Sequence, residues 1–107
     1  MKGLDIGDLM KQAQKMTRQM NKVQEALKEK IVEGAAGGGM VKAFVNGNQE
    51  VVGLKIDPAA VDPGDVDMLQ DTVTAALNIA LKKSKDLAQA EMSKATGGNL
   101  PAGLLGL

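Results

Sequence analysis

Cysteine and histidine, the side chains that most often carry nucleophilic, acid–base and metal chemistry, are both absent from this sequence. Their absence removes disulfides, thiolate sites, and the commonest general base and metal ligand. Carboxylates, lysines and hydroxyls remain. Asp57, Asp62, Asp65, Asp67 and Asp71 crowd one stretch, but without the alternating acids, central Gly and terminal Glu of a calcium loop. Ahead of a helix, such acids serve capping and the helix dipole. The run 34–39 (GAAGGG) lacks the preceding strand and the Gly-Lys-Ser/Thr ending of a phosphate loop, which leaves a hinge or close packing. No convergent carboxylates mark a catalytic pocket. The residues therefore predict a protein that is not an enzyme. No catalytic residues, metal site, cofactor or small-molecule substrate are expected.

The most regular chemistry is cationic. Lys11, Lys15, Arg18 and Lys22 are spaced four, three and four apart, and no acid interrupts residues 11 to 22. On a helix this spacing aligns them as one stripe. A rigid rod with cations at regular intervals can neutralise several phosphates of a duplex at once. A solvated outer face is the plainer alternative, although lysine-rich helices usually interleave glutamate, which here appears only at Glu25 and Glu29. Lys82, Lys83 and Lys85 form a second cluster, whose spacing demands no phosphate. Overall charge gives no lead, with 13 basic and 13 acidic residues.

Two scarcities narrow the mode of binding. Arg18 is the only arginine, so forked hydrogen bonding to base edges is poorly supplied. Phe44 is the only aromatic residue and is expected in the sheet core, which leaves no platform for stacking single-stranded bases. The remaining mode is backbone binding to double-stranded DNA with little sequence preference.

The stripe needs a long helix, and the sequence provides one within residues 5–32. Ile6, Leu9, Ala13, Met16, Met20, Val23 and Leu27 step by three and four, a heptad seam opposite the cations. Met10, Met16 and Met20 read as packing residues rather than ligands. Residues 33–57 form a β-region. Met40 to Val45 and Val51 to Ile56 make a hairpin around Asn46-Gly47, a pair that tolerates positive φ, or around a longer loop that includes Asn48-Gln49-Glu50. Ile31 to Ala36 is a candidate third, irregular strand. A loop over 58–65 leads to a second helix at 66–96. Leu69, Val73, Ala76, Ala80 and Leu87 share one of its seams, and Leu77, Leu81, Ser84 and Ala88 share a neighbouring stripe. Residues 97–107 form a Gly/Pro-broken apolar tail. The whole is one α+β domain: long N-terminal helix, small antiparallel sheet or hairpin, long C-terminal helix. At 107 residues it is too small to cover its first helix, so a second copy is expected to pair with it. The start shows no apolar leader, and no apolar run reaches the length of a membrane span. A cytoplasmic protein without membrane contact is expected.

Leu9-Met10-Lys11-Gln12-Ala13-Gln14-Lys15-Met16, Val41-Lys42 and Val45-Asn46-Gly47 resemble the YbaB/EbfC family of bacterial nucleoid-associated proteins. Ile56-Asp57-Pro58, Met68-Leu69-Gln70-Asp71 and Ala75-Ala76-Leu77-Asn78 extend the resemblance over nearly the whole chain. It implies a tweezer-like homodimer, double-stranded DNA as partner, and a place on the nucleoid in the cytoplasm. It also implies a role in nucleoid organisation, gene regulation or recombination and repair. DNA contact is carried over to Lys11 and Lys15, within the matching motif; Arg18 and Lys22 rest on the stripe. The rival reading is a protein-binding adaptor or prefoldin-like chaperone, which would expose apolar residues at its free helix ends.

Overall fold

The computed structural model describes residues 5–95. Their order is α1 (Ile6–Lys28), β1 (Ile31–Ala36), β2 (Val41–Asn46), β3 (Val51–Ile56), a short 3-10 turn (Pro58–Ala60) and α2 (Val66–Ala95). This is the α+β arrangement expected, with a regular three-stranded sheet between long helices.

Asp5 starts α1, its carboxylate accepting the Gly7 N–H at 2.9 Å, and Asp8 lies in the first turn, where the helix dipole favours an acid. The helix stops at Lys28, short of the expected 32. Ile31 and Val32 belong to β1, where they pair with Asn46 and Val45 in a continuous antiparallel register. Six cross-strand pairs outweigh what another helical turn would gain. The β1 strand is regular rather than irregular. The expected end of α2 at residue 96 and the tail at 97–107 lie outside the described residues.

The sheet runs β1-β2-β3, antiparallel throughout. Gly37, Gly38 and Gly39 turn β1 into β2 at φ of 64°, 68° and 90°, a left-handed path that glycine follows at little cost. The β2–β3 turn takes the longer of the two forms, through Asn48, Gln49 and Glu50. Its positive φ, 60°, falls on Gln49, not on Gly47. Asn46 organises the loop instead: its side-chain oxygen accepts the N–H groups of Asn48 at 2.9 Å and Glu50 at 3.1 Å. Such local acceptors replace the turn geometry that Asn-Gly would otherwise supply.

Strand alternation sends Val41, Ala43 and Val45 to one face, where all three are buried under α2 with Ala76 and Ala80. The helix buries Ala76, Ala80, Ser84, Ala88 and Met92, a line that crosses both stripes read from the sequence. Small residues let the backbones approach closely. A Cβ on Gly34 would collide with the Ala76 carbonyl and the Ala80 amide nitrogen, so close packing explains this glycine. Buried Ser84 donates to the Asn46 carbonyl at 2.6 Å and accepts from the Gln49 N–H at 3.1 Å, binding the hairpin end to α2.

The same alternation corrects the placement of Phe44. It pairs with Gly53 and shares the opposite, open face of the sheet with Lys42 and Lys55. It is half-buried there and outside the core.

Candidate nucleic-acid interface

The first helix leaves the body of the protein. Along its seam, exposure falls from 73% at Ile6 to 1% at Leu27, with Met20 and Val23 half-buried between them. The base is held by the hairpin, whose Gly47 N–H donates to the Leu27 carbonyl at 2.9 Å. The Asn48 side chain donates to the Gln24 carbonyl at 3.1 Å. A helix of 23 residues is about 35 Å long. The molecule accordingly extends 75 × 22 × 17 Å.

Lys11, Lys15, Arg18 and Lys22 all lie on α1, and all four are exposed. Among the described residues none of them takes part in an ion pair. Their helical spacing brings them onto one side of the rod, with the apolar seam on the other. From Lys11 to Lys22 the stripe covers about 16 Å of axis. The helix holds five basic and two acidic residues, a net +3 (5 − 2) in a chain whose total is zero. Charge is thus segregated onto the projecting element.

The second basic cluster is differently placed. Lys82 pairs with Asp86 at 3.3 Å, and the Lys83 ammonium donates to the Glu33 carbonyl at 2.8 Å. Two of its three cations are therefore engaged within the chain. Lys30 is engaged as well, on Glu91 at 2.8 Å. That contact is the main reason the Glu91 carboxyl sits below the usual glutamate range.

The aspartates ahead of α2 serve as helix caps or turn acceptors. Asp57 accepts from Ala59, Asp62 from Gly64 and Asp65 from Met68, each through a backbone N–H. Among the described residues no group of three His, Cys, Asp or Glu side chains could hold a metal ion. Nor is any described helix long and apolar enough to cross a membrane.

Two cations escaped the sequence reading. Lys42 and Lys55 are directly opposite across β2 and β3 and line an open cleft of about 340 Å³ with Gly39, Met40 and Pro58. Parity could have found Lys42. Once Val41, Ala43 and Val45 are assigned to the core, Lys42 and Phe44 must share the other face.

Residues 1–99 match the model of the YbaB/EbfC DNA-binding family. A nucleoid-associated protein of Acetivibrio thermocellus is 52% identical over 96 residues, covering 90% of this chain and 85% of the relative. A nucleoid-associated protein of Moorella thermoacetica is 54% identical over 93 residues, covering 87% and 89%. The crystal structure of an uncharacterized Helicobacter pylori protein shares the fold with a TM-score of 0.79 at 26% identity, covering 89% of this chain and 100% of that one.

Proposed function

The chain belongs to the YbaB/EbfC DNA-binding family, and from that premise we propose that it binds double-stranded DNA as a homodimer, mainly through the phosphate backbone. The observation that carries this reading is the row of exposed cations on the projecting helix, Lys11, Lys15, Arg18 and Lys22, which form no ion pair among the described residues. Phosphate neutralisation releases counterions whatever the base sequence, so such a row supports broad rather than sequence-selective binding. No catalytic step is assigned. A place on the nucleoid agrees with the names of the relatives; a role there in nucleoid organisation, gene regulation or recombination and repair, in the cytoplasm, is part of the proposal.

The dimer is supported by the opposite side of the same helix. Ile6, Leu9 and Met16 are exposed at heptad positions, a seam that a second helix would cover. A protein-binding adaptor draws on the same exposed apolar tip. It does not account for the cations on the other side.

Titrating the intact protein with unrelated duplexes at two salt concentrations tests the reading. The expected result is similar affinity for all of them and a steep loss at the higher salt. Affinity insensitive to salt, or no duplex binding beside capture of unfolded polypeptide, would favour the adaptor.

A further inference from the structure

On the open face of the sheet, the only aromatic residue of the chain lies beside two cations that form no ion pair among the described residues. Lys42 and Phe44 are two residues apart on β2 and share this face; Lys55 lies opposite Lys42, and Gly53 opposite Phe44. Directly opposed like charges in a sheet are destabilising, so folding alone gives no reason for the lysine pair. Among the described residues neither lysine has an ion pair. The phenyl ring leans over Gly53, where a Cβ would meet the Phe44 Cδ2 at 3.5 Å. That glycine leaves a shallow place beside the ring. The acids at the margins do not fill it. Glu33 faces Phe44 from β1 and forms no ion pair with Lys42. Asp57 lines the lysine cleft, but its carboxylate accepts from the Ala59 N–H at 2.9 Å.

We propose that this face is a second nucleic-acid site, for a single strand: a base stacks on Phe44 while Lys42 and Lys55 hold the adjoining phosphates. Sheet faces carrying an aromatic between cations bind single strands in this way, because every base has a π-face and every nucleotide a phosphate. A duplex keeps its bases stacked inside and cannot use the ring. Charge selects the occupant. A polyanion neutralises both lysines, which no ion pair engages among the described residues. The site is separate from the α1 stripe and goes beyond the duplex reading.

The test is fluorescence anisotropy of the intact protein with a short labelled oligothymidylate, the same strand carrying abasic sites, and a duplex. The native protein should bind the intact strand at least about fivefold more tightly than the abasic one, the smallest stacking contribution of one base. Phe44→Leu should remove that preference and leave duplex affinity unchanged. Lys42→Gln with Lys55→Gln should lower the single-strand salt slope by about 1.4, at 0.7 per phosphate. Equal binding of intact and abasic strands by the native protein would overturn the proposal, and needs no variant to fold. So would wild-type single-strand affinity in a Phe44→Leu protein with a native circular dichroism spectrum. A change of oligomeric mass in these variants, with single-strand binding intact, would make the face a contact between copies and also overturn it. Failure of the duplex reading shows separately, in the native duplex titration.

Discussion

Gly47 donates its N–H to the Leu27 carbonyl oxygen at 2.9 Å, and a Cβ built on Gly47 would stand 2.7 Å from that same oxygen. The hairpin turn is thus seated directly on the end of α1, and the direction in which the rod leaves the sheet is set there. Gly47→Val is expected to cost about 1–3 kcal/mol, the usual range for forcing atoms into a packed site. The thermal midpoint should fall by at least several degrees. Calorimetry checks this, and an unchanged midpoint would mean that the hairpin does not hold α1 in this way.

Ser84 is the polar counterpart of that contact. Ser84→Ala removes the bond to the Asn46 carbonyl, but the Gln49 N–H still donates to that carbonyl at 3.1 Å. No group is wholly orphaned, so the expected loss is about 1 kcal/mol, the net worth of one hydrogen bond. Ser84→Leu should be far more damaging, because the position is fully buried against the sheet. Denaturant midpoints of the two variants would show the order.

The Lys30–Glu91 contact should appear as a pH dependence. Lys30 lowers the Glu91 carboxyl mainly by hydrogen bonding to it. A group whose pKa is depressed on folding adds stability that is complete above its unfolded value and is lost as pH falls through the folded one. Lys30→Met is therefore expected to melt below the native protein at neutral pH, and the gap should close in acid. A gap that persists at low pH would assign the effect to packing.

Much of this architecture was legible in the sequence, because periodicity is a local signal. The seam from Ile6 to Leu27 and the β2–β3 hairpin both follow from side-chain spacing. What was not legible depended on contacts between distant segments. Gly47 looks like a positive-φ turn residue, yet it is small because Leu27 lies against it, and Gln49 takes the positive φ. Phe44 is expected in the sheet core, whereas strand parity puts it on the open face with Lys42. The alignment of the four cations of α1 is legible because a stripe on a single helix needs no tertiary information. The Lys42–Lys55 pair depends on the register of two strands and was missed.

The exposed seam predicts association. Sedimentation equilibrium at micromolar concentration should report twice the chain mass. Leu9→Lys with Met16→Lys should shift the protein toward monomer while leaving the sheet and α2 folded, since both positions are exposed in the isolated chain. A native protein that sediments as a monomer would contradict the pairing of copies.

The most direct test of the account is the salt dependence of duplex binding in a Lys15→Gln, Arg18→Gln protein. Each phosphate neutralised on a duplex contributes about −0.9 to the slope of log K against log salt. Removing two contacts per chain should therefore flatten the slope by about 1.8 for each chain engaged. Affinity should fall to a similar extent on unrelated sequences. The helix should persist, because both residues are exposed and glutamine is a good helix former. Lys82→Gln with Lys83→Gln is the matching control, and its effect should be smaller, since those cations are engaged within the chain. A folded α1 variant that binds duplex with the native slope would contradict the central claim, and would leave the stripe as a solvated face.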